Sequence, residues 1–287
     1  MTTTAIDHAH ALEALLSDDL IGIGMEADAV RRRLHPEGVV TYALSPGVTL
    51  GAADPTKSVA DAVEDGATAI TLYAAPGATL DQLETAICTI RHAHPTLPLS
   101  GFPLGQIAAL PPTILTALYT AGVRSLAADT TETLAFDSAL AFHRTAHAAG
   151  LSTTATLLFG AGESPNTLIT RLETLRALQQ ETLGFVAFTL LAAHSPTGRD
   201  LDDPTAVEYL KTLALCRIVL DNIDHIESNW QQQGLKVLQM TLRFGANDAG
   251  SLFAPNAQAP EEEVRRIIRD AGFRPAQRDP LYRMCFL

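Results

Sequence analysis

Cysteine is scarce in this sequence. Only 3 of its 287 residues are cysteines, and Cys88, Cys216 and Cys285 lie far apart. Without a CxxC or similar close spacing, neither a disulfide framework nor a sequence-local zinc or iron–sulfur site is expected, and a reducing cytosol fits. Basic residues are also short, with 20 Lys and Arg against 32 Asp and Glu, for a formal net charge of −12. A field of that sign opposes a phosphate backbone, so nucleic acid is not an expected partner. Charge of either sign stays at 18% while hydrophobic residues reach 47%, which argues for an extensive interior and against intrinsic disorder.

Long apolar runs are missing too. None approaches the ~18 residues of a membrane span, and the first residues carry neither the basic n-region nor the continuous apolar h-region of a secretory signal. A cytoplasmic location without a membrane partner is the expectation. The chain contains no GxSxG, no GxxxxGKS/T and no HExxH, so the usual hydrolase, nucleotide-phosphate and zinc-protease readings lack their motifs.

What is present is a repeat of short β-rich runs between segments of helical period. Strands are expected at Val39–Leu44, Ala69–Tyr73, Leu97–Phe102, Val123–Ala127, Ser152–Phe159, Phe185–Leu191 and Lys236–Leu242. The first six begin roughly 25–35 residues apart, the length of a βα unit. Their nearly continuous apolar and β-branched character suits a parallel sheet covered on both faces. Helix starts are marked at Asp54-Pro55, Ser164-Pro165 and Asp203-Pro204, and two helices, Ile6–Leu16 and Met25–Leu34, precede the first strand. The fold class is therefore α/β, a closed or partial barrel. The chain reads as one domain, 1–287: N-terminal helices over 1–38, a barrel core over 39–245, and a C-terminal loop and helix over 246–287. In the last helix the order Glu261, Glu262, Glu263, then Arg265, Arg266 and Arg269 complements the helix dipole.

Chemistry-bearing residues are dispersed. Ser195 beside His194 reads as a loop pair. His143 and His147 have the i, i+4 spacing of helical metal ligands, yet without a fixed acidic or Cys partner they read as part of an amphipathic surface. His92 and His94 suit a helix end, and His225 either joins a site or packs beside Trp230. If Thr154, Thr156, Phe188 and Gln239 sit on barrel strands, alternation aims some of them inward, as ligand contacts or as members of a core polar network. Arg243, Asn247 and Asp248 lie in a glycine-punctuated turn suited to a polar ligand. Tyr42 and Glu163 complete the ligand-binding candidates.

Several longer segments, ADAVRRRLHPEGVVTY at 27–42, TAHAAGLSTTATLLFG at 145–160, WQQQGLKVLQMTLRFGANDAG at 230–250 and IIRDAGFRPAQRDPLY at 267–282, carry a family likeness. With them the chain resembles the radical S-adenosylmethionine enzymes of the futalosine route to menaquinone, cyclic dehypoxanthine futalosine synthase first and aminofutalosine synthase second. The resemblance implies a radical-SAM-type (β/α) barrel with helical additions at both ends. It also implies a CxxxCxxC loop after the first strand, holding a [4Fe–4S] cluster that binds S-adenosylmethionine. Here the corresponding stretch, Ala43–Pro55, has no cysteine. The glycine-rich turns of the family are replaced by Tyr73–Gly77 and by Ala127–Glu132. No other residue type substitutes for three converging thiolates on iron. The expectation is a pseudoenzyme without cofactor or metal that still binds a small polar or nucleoside-like ligand. Alternatives are non-radical acid–base chemistry with Glu163, Asp248 or His194, or a non-catalytic subunit pairing with an active paralogue or with itself.

Overall fold

A computed structural model describes residues 6–51, 54–128, 134–193, 203–254 and 257–286. The chain begins with α1 (His8–Leu16), α2 (Leu20–Leu34), β1 (Val39–Ala43), β2 (Gly47–Leu50), α3 (Thr56–Glu64), β3 (Ile70–Ala74) and α4 (Leu80–Ala93). Next come β4 (Leu99–Gly101), α5 (Leu104–Ile107), α6 (Thr113–Thr120), β5 (Ser125–Leu126), α7 (Phe136–Ala148), β6 (Thr153–Phe159), α8 (Pro165–Thr182) and β7 (Phe185–Ala192). It closes with α9 (Ala206–Val219), β8 (His225–Glu227), α10 (Trp230–Gln233), α11 (Leu235–Thr241), β9 (Asp248–Ser251), β10 (Phe253–Ala254), β11 (Ala257–Gln258), α12 (Glu261–Asp270), β12 (Arg274–Arg278) and β13 (Met284–Phe286).

Local chemistry sets many of these boundaries. Asp7 and Asp19 cap α1 and α2 through their carboxylates, and Ser164 caps α8, whose first residue is the expected Pro165. The cap of α9 is Thr205 rather than Asp203. Its hydroxyl accepts from the Glu208 N–H while Glu208 Oε2 accepts from the Thr205 N–H at 2.7 Å, a reciprocal capping box.

The strands form a seven-stranded sheet, β13-β12-β1-β9-β8-β7-β6, and a four-stranded sheet, β2-β3-β4-β5, with β10-β11 as a separate hairpin. Apart from the β12/β13 and β10/β11 pairs, every ladder is parallel. Two seams join the large sheets. At the first, β1 runs through Leu44, Ser45 and Pro46 into β2, changing partner from β9 to β3: Leu252 N–H donates to Ala43 O, whereas Thr71 N–H donates to Pro46 O. At the second, Ser125 and Ser152 make a parallel bridge, with Leu126 N–H on Ser152 O and Ser152 N–H on Arg124 O, both at 2.9 Å. The architecture is thus an α/β ring of parallel strands split into two sheets, without one continuous closed ladder among the described residues.

Alternation divides the two faces of these strands. Val40, Tyr42, Leu157, Phe188, Leu190 and Ile226 enter one apolar cluster with the flanking helices, and Val48, Leu50, Ile70, Leu72 and Leu126 enter a second. Two sequence expectations are corrected. Lys236–Leu242 is helix α11 and not a strand: Leu238, Thr241 and Leu242 are buried while Lys236, Gln239 and Met240 are exposed, a spacing of three to four instead of two. The expected loop at 246–259 contains β9, which with β12 and β13 adds three strands from the C-terminal part to the larger sheet.

One buried arginine fastens α9 to the strands it covers. Arg217 donates from Nε to Gly245 O and from Nη1 to Ile223 O, both at 2.9 Å, and from Nη2 to Asn247 Oδ1 at 2.8 Å. Burial pushes this guanidinium down to about 9 because these acceptors are neutral. Gly245 adopts φ 98°, and a Cβ there would sit 2.6 Å from Arg217 Cβ, so the close approach requires glycine. Replacing Arg217 by Met strands the Gly245 and Ile223 carbonyls. At about 1–3 kcal/mol for each buried unsatisfied acceptor, urea unfolding is expected to register a loss of about 2–6 kcal/mol; a change under about 1 kcal/mol would contradict this role for the side chain.

Candidate functional site

The strand face opposite the apolar clusters is polar. In the larger sheet, register places Thr156 (β6), Thr189 (β7), Glu227 (β8), Asp248 (β9) and Thr41 (β1) side by side in one row. In the smaller sheet Gly47, Thr71, Ser100 and Ser125 form a second row, which continues to Ser152 across the seam. Because Leu50, Leu72, Leu126, Leu157, Leu190 and Ile226 face the helices, both rows face the interior of the ring. A packed barrel core fills that position with Val, Ile and Leu. Here hydroxyls and acids occupy it. Ser125, 2% exposed, has a buried Oγ with no hydrogen-bond partner among the described residues, and a buried hydroxyl in that state has unused bonding capacity.

Arg278 organises the acidic part of the first row. Its Nε and Nη2 donate to Asp248 Oδ2 and Oδ1 at 2.5 and 2.9 Å, and Nη2 also donates to Glu227 Oε1 at 2.8 Å. Asp248 accepts as well from Thr41 Oγ1 and, at 2.6 Å, from the Gly250 N–H. Both of its oxygens are fully used. Glu227 Oε1 accepts from the Tyr282 hydroxyl, and among the described residues Oε2 accepts only from Thr189 Oγ1, at 2.5 Å. The Glu227 side chain keeps 14% exposure, so Oε2 retains capacity for one further donor. Burial, opposed by Arg278 and reinforced by Asp248, raises Glu227 above the ordinary carboxylate range. The Tyr282 ring lies between the Arg278 guanidinium, 3.6 Å from its centroid, and the His225 ring, stacked at 4.6 Å.

The expected candidates separate against this frame. Asp248 is at the centre, Thr156 is half-buried in its row, and Thr154 is buried two residues earlier on the same face. Phe188 has the opposite parity and belongs to the apolar cluster. Tyr42 also faces outward, where its hydroxyl donates to Glu261 Oε1 at 2.6 Å and accepts from Arg265 Nη1 at 2.7 Å, tying α12 to β1. Asn247 is structural: its Oδ1 accepts from Arg217 and from the Ile226 N–H, and its Nδ2 donates to His225 Nδ1 at 2.9 Å. Gln239 is exposed on α11, and Arg243 lies at the surface over the Phe273 ring, 4.8 Å from its centroid. Glu163 is spent on a local turn, accepting from the Gly160 and Ala161 N–H groups at 2.7 and 2.9 Å.

The histidine pair is not a surface feature. His143 is buried, and both His143 Nδ1 and His147 Nε2 lie 2.8 Å from Thr153 Oγ1, with burial taking His147 down to about 4. His194 and Ser195 lie outside the described residues. Sequence reading missed Glu227, Thr41, Thr189, Arg278 and Tyr282 as a set. The available signal was a hydroxyl or acid at the same parity in successive strands.

The cofactors implied by the resemblance meet a poor fit. β1 continues through β2 to Leu50 and α3 begins at Thr56, so the connection that would carry the cluster loop is residues 51–55, shorter than a CxxxCxxC motif and without cysteine. Cys88 and Cys285 are exposed on α4 and β13, while Cys216 is buried in α9 with burial pushing its thiol well up. No group of three or more metal-ligating side chains occurs among the described residues. The turn after β3 is also self-satisfied. Ala74 N–H donates to Gln106 Oε1 and Ala75 N–H to Leu50 O, both at 2.8 Å, and a Cβ on Gly51 would sit 2.6 Å from Ala78 Cβ. These N–H groups are not presented to an adenosyl ligand. Ala127 and Ala128 are described, but 129–132 of the second altered turn are not.

Burial pushes His225 down to about 3, from an ordinary 6.5. The unfolded chain therefore takes up this proton first. The resulting stability is complete above pH 6.5 and is lost progressively as pH falls toward 3. Between neutral pH and about pH 5 the wild type should lose more unfolding free energy than His225→Phe, measured in urea at each pH; equal losses would contradict a neutral buried imidazole.

A family profile for the CofH/MqnC C-terminal region matches residues 184–286. The chain is similar to cyclic dehypoxanthine futalosine synthase of Streptomyces coelicolor, 36% identical over 149 residues, covering 48% of this chain and 37% of that protein. Aminodeoxyfutalosine synthase of Thermus thermophilus is 36% identical over 162 residues, covering 50% and 43% respectively. A third relative, 5-amino-6-(D-ribitylamino)uracil–L-tyrosine 4-hydroxyphenyl transferase of Methanothermobacter thermautotrophicus, is 32% identical over 157 residues, with 48% and 43% covered. The matches thus span less than half the length of these curated relatives. Among solved structures, methylornithine synthase superposes with a TM-score of 0.70 at 14% identity over 95% of both chains. The [FeFe]-hydrogenase maturase HydG gives 0.71 at 13% identity, over 95% of this chain and 72% of that one. At such identities the likeness is one of fold. Thr189, Glu227, Asp248, Arg278 and Tyr282 all fall inside residues 184–286, the part of the chain that carries the CofH/MqnC C-terminal region.

Proposed function

We propose that this protein is a cluster-less homologue of the menaquinone-pathway radical enzymes, binding a small polar or nucleoside-like ligand on the inner face of its split barrel without radical chemistry. The observation that carries the reading is the 51–55 connection, too short for the cluster motif and free of cysteine, beside an inner face that keeps its hydroxyls and its acid–arginine network. Three soft thiolates converging on iron cannot be supplied by cysteines on α4, α9 and β13. Hydrogen bonding to a polar ligand needs none of them. It needs fixed donors and acceptors with unspent capacity, and Ser125 Oγ and Glu227 Oε2 meet that requirement.

A second reading, acid–base catalysis in the same barrel, draws support from one residue. Glu227 is an interior acid held above the usual carboxylate range, with an oxygen open to a ligand. Glu163 is bound up in its own turn and Asp248 is saturated, so neither is the group that reading would use. Trp230 offers no surface to a partner subunit, because the indole is buried and donates to Ala249 O at 2.8 Å.

Anaerobic reconstitution with ferrous iron, sulfide and reductant tests the leading reading. The expected product lacks stoichiometric iron and sulfide and lacks cluster absorption. A protein carrying a full [4Fe–4S] complement after desalting would overturn it.

A further inference from the structure

We infer that the ligand of this inner face is an uncharged or cationic compound rich in hydroxyl and N–H groups, anchored by a donor to Glu227 Oε2, and that phosphorylated or carboxylated compounds are excluded. The inference rests on the ligand-binding reading above and adds the chemical class.

Charge on the inner face carries the argument. Among the described residues, two carboxylates, Glu227 and Asp248, face the interior against one guanidinium. That guanidinium is occupied: Nε and Nη2 are directed at the two acids, Nη1 donates to Asp279 O at 3.3 Å, and the Tyr282 ring covers one face. Among the described residues an anion would find no free cationic donor there and would meet the partly exposed Glu227. Recognition of phosphate or carboxylate relies on charge-assisted donors, above all a bidentate guanidinium. Arg217 and Arg265 cannot supply one, since both are bound on the helix-facing side.

The remaining inner groups suit a neutral partner. Ser100, Ser125, Thr154 and Thr156 offer hydroxyls that both donate and accept, and the Ser125 Oγ, buried and unpartnered among the described residues, marks a position where a ligand hydroxyl or amine completes a hydrogen bond. Among the described residues Glu227 Oε2 is the one inner carboxylate oxygen with an open acceptor site, which selects an N–H, O–H or ammonium donor at that end.

Matched probes that differ only by a phosphate test this directly. Adenosine against adenosine 5′-monophosphate, and glucosamine against glucosamine 6-phosphate, are titrated calorimetrically into the full chain. Within a pair that binds, the unphosphorylated member should bind at least about tenfold more tightly. Glu227→Gln should reduce that preference, while Ser125→Ala on the other sheet should weaken both members alike. The Ser125 variant removes only a hydroxyl and keeps the test usable if Glu227→Gln does not fold. Equal or tighter binding of the phosphorylated member would overturn the inference and leave the ligand-binding reading standing. Binding of none of the four probes would count against both.

Discussion

The buried guanidinium of Arg278 is the contact on which the inner face depends. Register sets Asp248 and Glu227 on adjacent strands in the same row, and two carboxylates so placed in a low-dielectric interior repel strongly unless a cation lies between them. Arg278 reaches both from β12 and thereby ties β12 to β9 and β8, while Thr41 and Thr189 extend the same network to β1 and β7. The mutual attraction holds the guanidinium above its ordinary value despite burial. Tyr282, at φ 61°, is kept in its left-handed backbone conformation between that guanidinium and the His225 ring. Fold and site therefore rest on the same few atoms.

A second constraint is the division of the strands into an apolar outer face and a polar inner one. The outer face merges with the helices and supplies the stabilising burial. The inner face contributes little of that kind and is free to hold hydroxyls. The two halves of the ring have nevertheless diverged in character. The larger sheet, most of it within the matched region, carries the charged network. The smaller sheet offers uncharged groups, Thr71, Ser100 and Ser125 with Thr49 and Tyr73 at the same parity, and its turn after β3 is packed against Gly51, on the side where the resemblance implies a cluster.

Much of this was legible in the sequence, for a physical reason. Strands with an apolar, β-branched outer parity, such as VVTYA and FVAFTLLA, announce themselves, and six of the seven expected strands are present. The short segments HIE and DAGS carry a single apolar outward residue or none that is bulky, so β8 and β9 passed unnoticed while the more hydrophobic KVLQMTL was read as a strand. Thr154, Thr156 and Asp248 could be picked out one at a time. Their union with Glu227 and Arg278 could not, because these residues are distant in the chain and meet only through strand register and the return of β12 beside β1. Conversely, Arg243 and Asn247 looked equivalent to Asp248 in the same glycine-rich segment. Strand parity then turned Asn247 toward Arg217, and Arg243 remained at the surface before β9 began.

The central claim is that the ring interior is built to receive a polar ligand and not an iron–sulfur cluster. It is met most directly by a high-resolution crystal structure of protein purified anaerobically from iron-supplemented cells, with data collected at the iron edge. The account predicts ordered water or a small molecule bonded to Ser125 Oγ and Glu227 Oε2, and no anomalous iron peak near the connection between β2 and α3. An iron peak there, or apolar side chains filling the space between the two polar rows, would contradict it.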